Sequence, residues 1–188
     1  MSLLIYIAGF DVFCSDAKRI GEDIKRYCRN LGFEGLFPLD VEIGEHLESY
    51  DSKDRIADVI YKGNIDKIKK SHVVMANLNP FRSVVEPDSG TCFELGVGYA
   101  CEKYLYGYLD DNRDMLNKLG KSEEDPWDEN GYNIEDFGLS VNLMIALSTN
   151  IVEGTYKNCL DRIKEDYDKG LLEVKKGVVE YENSCYRD

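Results

Sequence analysis

Short apolar runs alternate with helical periodicity along most of this chain, and that alternation leaves few folds open. Leu3-Leu4-Ile5-Tyr6-Ile7-Ala8, closed by Gly9, reads as a buried strand. Ile20, Ile24, Tyr27 and Leu31 then share one helical face, with Ser15 or Asp16 as the cap and Asn30-Leu31-Gly32 as the stop. Glu34 to Phe37 makes a short second strand ended by Pro38. Residues 40–57 read as a long polar loop, followed by a helix over about Ala57 to Lys70. His72 to Leu78 is the third strand, about Thr91 to Glu102 the next helix, and Tyr104 to Leu109 the fourth strand. Asn142 to Leu147 reads as a short helix and Ile151-Val152 as a last strand. Tyr156, Leu160, Ile163 and Tyr167 line one face of a C-terminal helix stopped by Gly170. Strands separated by helices build a parallel sheet covered on both sides. The expected fold is α/β: one domain over residues 1–170, with a flavodoxin- or Rossmann-like parallel sheet of about five strands and helices on both faces. Residues 110–137, rich in Asp, Asn, Glu and Gly, form an excursion or lid, and residues 171–188 a tail of partial order at best.

In open parallel sheets the carboxyl ends of the strands form the ligand crevice. Three tips supply it here: Gly9, then Pro38-Leu39-Asp40, then Asn79 to Gly90. The third is the richest in chemistry. Glu86-Pro87-Asp88-Ser89-Gly90-Thr91-Cys92-Phe93-Glu94-Leu95-Gly96 runs from a strand end into a helix. Glu94 is expected in the first turn of that helix, where unpaired N–H groups and the positive dipole end favour an ionised carboxylate. An ionised carboxylate held in a cleft is a candidate nucleophile, and Asp88 a candidate proton handler beside it.

Composition removes several other classes. A net charge of −13 disfavours nucleic acid and anionic membrane surfaces as partners, since a polyanion must meet positive surface. It leaves small ligands in a local pocket open. Six cysteines, Cys14, Cys28, Cys92, Cys101, Cys159 and Cys185, show no paired spacing, and the chain is long enough not to need a disulfide framework. They read as buried hydrophobes, Cys92 included. Two histidines, His46 and His72, offer little from which to build a zinc site, so no metal or organic cofactor is expected. Met1 to Phe10 has no basic flank, and no apolar stretch approaches membrane-spanning length. The expected setting is the cytoplasm.

With the strand tips in hand, the chain resembles the nucleoside 2-deoxyribosyltransferase family. The resemblance is carried in order by Ile5-Tyr6-Ile7-Ala8-Gly9 with Phe13, Pro38-Leu39-Asp40, Asn64-Ile65, Asn79-Pro80-Phe81-Arg82, Glu86 to Gly96, and Phe137-Gly138-Leu139 with Asn142-Leu143-Met144. It covers roughly residues 3–147. Phe10 stands where the family often has proline. The resemblance implies an enzyme that moves 2-deoxyribose between bases, with 2′-deoxynucleosides and free nucleobases as substrates. It implies Glu94 as the nucleophile that forms a covalent deoxyribosyl ester, Asp88 as the group handling the base's proton, and Tyr6 as the residue orienting the glutamate. Gly9, Phe13, Asp40, Asn64 and Gly90 become substrate-binding candidates. Asn142 and Met144 match a segment that completes a neighbouring subunit's pocket, which implies a homodimer or higher homo-oligomer.

Two rivals share the same fold. One is a 2′-deoxynucleoside 5′-monophosphate N-glycosidase, in which water takes the sugar. It needs phosphate donors near the first strand tip, where this chain has Phe10-Asp11-Val12-Phe13. The other is a non-catalytic nucleotide-sensing module, which would have lost the Asp88 and Glu94 pair. Plainer readings stand beside the chemical ones. Tyr6 suits core packing, Asn64 a solvated helix, and Asp88 a turn. Arg82 is most simply a surface or loop-pinning cation, with a base or a phosphate as its other reading.

Overall fold

The computed structural model describes residues 2–40 and 52–173. Five parallel strands, β1 Leu4–Ala8, β2 Glu34–Leu36, β3 Val73–Asn77, β4 Tyr104–Leu109 and β5 Asn150–Glu153, lie in the order β2-β1-β3-β4-β5. The chain starts in the middle, steps to one edge, then crosses back. β1 and β3 are therefore neighbours whose outgoing connections leave in opposite directions. Their carboxyl ends form the crevice at which this topology places ligands.

Period-two alternation sorts the strand side chains between two cores. Ile5, Ile7, Val73, Met75, Tyr106 and Tyr108 face α1 (Ala17–Asn30) and α6 (Tyr156–Asp168), which supply Ile24, Cys28, Leu160 and Ile163. Tyr6, Ala8, Val74, Ala76 and Leu105 face the other way, against Ile68 of α2 (Lys53–Lys70) and Leu95 of α3 (Ser89–Ala100). The expected single α/β domain with helices on both faces is the fold observed.

Close packing of α3 depends on Gly98. A β-carbon there would meet Val74 Cγ2 and Leu105 Cδ2 at 2.9 Å, so only glycine lets the helix lie this near the sheet. Buried polar groups on the opposite face are matched. Asp166, 4% exposed, accepts from Tyr106 Oη at 2.8 Å and from Arg162 Nε at 2.9 Å.

The boundaries differ from the sequence reading in instructive places. α2 begins at Lys53 rather than near Ala57, because Ser52 caps it by accepting from Arg55 N. Residues 41–51, most of the expected long loop, lie outside the described residues, as do 174–188 of the expected tail. The 110–137 excursion replaces the usual crossover helix between β4 and β5. It is anchored by α4 (Met115–Leu119), whose Met115 and Leu116 join Val85 and Ile134 in a small third core. Asp114 caps α4 through Asn117 N. A four-residue helix, α5 (Leu143–Ala146), leads on to β5. No helix among the described residues is long and apolar enough to cross a membrane.

Candidate active site

Tyr6 is fully buried on the α2/α3 side of β1 because it alternates with Ile5 and Ile7. Its hydroxyl donates to Glu94 Oε1 at 2.6 Å. Strand alternation and the pitch of α3 thus bring residues 88 positions apart into one short, charge-assisted hydrogen bond.

Glu94 does not lie in the first turn of α3. The helix starts at Ser89 with Asp88 as its N-cap, which puts Glu94 one turn further in. The expectation that dipole and free N–H groups hold it ionised is overturned. Burial pushes its carboxyl up to about 7, the Tyr6 hydrogen bond pulls the other way, and the Asp88 charge adds to the rise. Tyr6 itself is held far above the ordinary phenol range by burial and by the facing carboxylate.

Asp88 takes the place at the helix start that the sequence reading gave to Glu94. Its Oδ2 accepts from Thr91 N at 2.9 Å and from Thr91 Oγ1 at 3.0 Å. Gly90 leaves room for this cap, since a β-carbon there would stand 3.0 Å from the same oxygen. Asp88 is close enough to raise the Glu94 pKa, so the two carboxylates share one site. Both are half-buried; Glu94 is partly protonated near neutrality and Asp88 is tied to a helix end.

Replacing Tyr6 with phenylalanine removes the donor that favours the charged form of Glu94. The expected outcome is a Glu94 pKa above about 7, read by carbon-13 NMR of the carboxyl. An unchanged or lowered pKa contradicts the assigned pair.

The tips of β1, β3 and β4 are fastened together at the carboxyl end of the sheet. Asn77 Nδ2 donates to Asp11 Oδ2 at 2.9 Å, Asn79 Nδ2 to Asn77 Oδ1 at 2.9 Å, and Asp110 N to Asn79 Oδ1 at 2.9 Å. Gly9 belongs to this framework. A β-carbon there would sit 2.8 Å from Asn77 Cβ. Phe13 is 60% exposed and stacks on Phe81, with centroids 5.4 Å apart; Phe10 stacks on Phe81 at 5.2 Å.

Asn64 lies on α2, one helical turn after Tyr61, whose ring meets Phe93 of α3. Asn64 Oδ1 is buried with no hydrogen-bond partner among the described residues. A buried amide oxygen left unpaired costs free energy, and a ligand donor would relieve it.

The other candidates are placed elsewhere. Asp40 accepts from Lys25 Nζ on α1 and from Phe37 N at 2.7 Å. It lines a cleft of about 460 Å³ beside β2 with Lys25 and Arg29, apart from the Tyr6–Glu94 pair. Asn142 caps α5 through Met144 N at 3.0 Å and donates from Nδ2 to Glu135 Oε1. Glu135 Oε2 also accepts from Leu143 N at 2.9 Å. Among the described residues Asn142 makes no hydrogen bond to Tyr6, Asp88 or Glu94. It lines a separate cleft of about 640 Å³ with Glu86, Lys118 and Glu135. Met144, Leu147 and Phe137 are 70%, 77% and 64% exposed. Glu135 is the residue that sequence reasoning missed. It sits in a polar segment without periodicity, and nothing in its spacing points to Asn142. No group of three or more His, Cys, Asp or Glu that could hold a metal occurs among the described residues.

Comparison with known proteins identifies the family. The sequence model of the nucleoside 2-deoxyribosyltransferase family matches residues 5–144. The solved 2-desoxiribosyltransferase of Leishmania mexicana is 29% identical, with a TM-score of 0.69 over 87% of this chain and 97% of that one. A conserved protein of Enterococcus faecalis V583 is 19% identical, with a TM-score of 0.57 over 88% of this chain and 99% of its own, a likeness of fold. An uncharacterized protein of Schizosaccharomyces pombe is 28% identical over 125 residues, 65% of this chain and 57% of its own length. The chain thus spans less than two thirds of that curated relative.

Proposed function

The chain belongs to the nucleoside 2-deoxyribosyltransferase family, and we propose that it transfers 2-deoxyribose between nucleobases through a covalent ester on Glu94. Membership places it among glycosyl-transferring enzymes that work on nucleosides. The observation that carries the finer reading is the part-buried Tyr6–Glu94 hydrogen bond with Asp88 at the adjoining helix start.

In this reading the ionised Glu94 attacks the anomeric carbon of a bound 2′-deoxynucleoside. The carbon–nitrogen bond breaks through an oxocarbenium-like transition state, and its electron pair leaves with the base. The proton that Glu94 gives up passes through Asp88 to the departing ring nitrogen. A second base then enters, its nitrogen attacks the same carbon, Asp88 takes up the proton, and Glu94 is released. Tyr6 holds the attacking carboxylate in one orientation and stabilises its charge. Asn64 Oδ1, unpaired without substrate, accepts from a sugar hydroxyl or a base N–H. Gly90 keeps the Asp88 side of the crevice open, and Phe13 presents an aromatic face at the tip of β1.

Incubation with deoxyinosine and adenine tests the reading. Deoxyadenosine and hypoxanthine are the expected products, with free deoxyribose minor. Free deoxyribose at the same rate with and without adenine, and no new nucleoside, assigns the chain to the hydrolases instead.

Asn142 is proposed to serve a neighbouring subunit, since in its own chain it faces a separate cleft among exposed apolar side chains. A mixture of Glu94→Ala and Asn142→Ala protomers, each inactive alone, is expected to regain part of the activity. Light scattering is expected to give an oligomer mass, and a fully active monomer contradicts the shared site.

A further inference from the structure

The loop after β3 carries a feature that deoxyribosyl transfer alone does not use. Arg82 has a left-handed backbone, φ 55°, one of two such non-glycine residues among those described. Residues with a β-carbon seldom adopt this conformation, and where a fold tolerates it the position often has a function. The Arg82 guanidinium carbon lies 4.6 Å from the Phe81 ring centre and 5.5 Å from that of Phe13. Phe81 is in turn stacked on Phe10 and Phe13 with interplanar angles of 9° and 12°. The loop after β3 is therefore clamped to the turn after β1 by nearly parallel rings, with a cation laid on top. The chain has a net charge of −13, yet this arginine makes no ion pair among the described residues. The Phe13 ring beside it is 60% exposed.

An open aromatic face takes a flat ring, and an unpaired guanidinium takes acceptors. A guanidinium resting on a ring directs its N–H groups outward within its own plane. A nucleobase stacked on the exposed face of Phe13 would bring its edge within reach of that fork. The fork matches two adjacent acceptors. Hypoxanthine and guanine offer O6 and N7 side by side, whereas adenine replaces O6 with an amino donor that faces other donors. We propose that Phe13 and Arg82 read the base at this site and select 6-oxopurines over 6-aminopurines. The proposal rests on the nucleoside reading above and adds a base preference to it.

The test compares kcat/KM for deoxyinosine and deoxyadenosine in the wild type, Arg82→Lys and Arg82→Gln. The wild type is expected to favour deoxyinosine by roughly tenfold or more, the discrimination of one bidentate arginine contact. Arg82→Gln is expected to bring the ratio near one, chiefly by raising KM for deoxyinosine. Arg82→Lys, which keeps the charge and loses the planar fork, is expected to lose most of the preference as well. Equal losses on both substrates mean that Arg82 merely pins the loop, and overturn the proposal. A loss confined to 5′-monophosphates assigns Arg82 to phosphate and overturns it too. Calorimetry with free hypoxanthine and free adenine separates this inference from the transfer reading. If no nucleoside is turned over, the transfer reading fails, while tighter hypoxanthine binding that Arg82→Gln abolishes still supports the assignment. Equal binding of the two bases by the wild type overturns it.

Discussion

Glu94→Ala is expected to lower turnover by about 10⁴-fold or more, the scale on which the loss of an essential nucleophile acts. Wild-type protein mixed with a deoxynucleoside and no acceptor base is expected to gain one deoxyribosyl mass in intact-protein mass spectrometry, and the variant none. The pH profile supplies an independent check. Burial and the Asp88 charge push the Glu94 carboxyl up to about 7, so the attacking form is scarce in mild acid. For a substrate whose leaving group needs no proton, kcat/KM should fall on the acid side with an apparent pKa near 7, a property of the coupled Glu94 and Asp88 pair. Near-normal turnover in the variant, or an acid limb near the ordinary carboxylate value, removes Glu94 from the mechanism.

The same group should be a burden on stability. In the unfolded chain Glu94 ionises near the ordinary 4.5, whereas in the folded chain it holds its proton to about 7. Between those values the folded state binds more protons, so its stability falls as pH rises through the window. The loss above pH 7 is on the order of 3 kcal/mol. Glu94→Gln keeps an oxygen for the Tyr6 hydroxyl and carries no charge. It is expected to unfold at a higher temperature than the wild type at pH 8 and to match it near pH 4. A residue that costs stability yet fills a well-packed position is what a stability–activity trade-off looks like from inside the fold.

The burial of Tyr6 and the nearness of Asp88 to Glu94 were legible from local rules, whereas the pairing of Tyr6 with Glu94 came only from the family resemblance. Tyr6 faces Glu94 because side chains alternate along a buried strand. Asp88 and Glu94 share a site because only five residues of the same helix lie between them. The protonation of Glu94 was not legible, and the reason is one capping residue. Aspartate is a strong N-cap, so the helix begins directly after Asp88, and Glu94 moves from an end rich in free N–H groups to the half-buried second turn. Contacts across the chain were also invisible. Phe10 and Phe13 meet Phe81 only because β1 and β3 are neighbours at the point where the sheet order reverses. Glu135 meets Asn142 only because the excursion folds back after a stretch with no periodicity. Asp40 follows a strand tip as expected, but its carboxylate turns to Lys25 of α1, a partner that strand-end reasoning does not consider.

Asp88 does two jobs, and Asp88→Asn separates them. As the cap of α3 it accepts from Thr91 N, which asparagine does nearly as well, so thermal stability should change by less than about 0.5 kcal/mol, against about 1 for Asp88→Ala. As a proton donor it cannot be replaced by an amide. Turnover of natural purine deoxynucleosides should fall by about 10² to 10⁴, the usual worth of a positioned general acid. A nitrophenyl 2-deoxyriboside has a leaving group that departs as a stable anion and needs no proton, so its release should fall far less. The charge change has its own readout. Asp88 is one of the causes that raise the Glu94 pKa, so removing its charge should lower that pKa and shift the acid limb for the nitrophenyl substrate to lower pH. Equal losses on both substrates would make Asp88 a cap and nothing more, because a merely structural role has no reason to depend on how the leaving group departs.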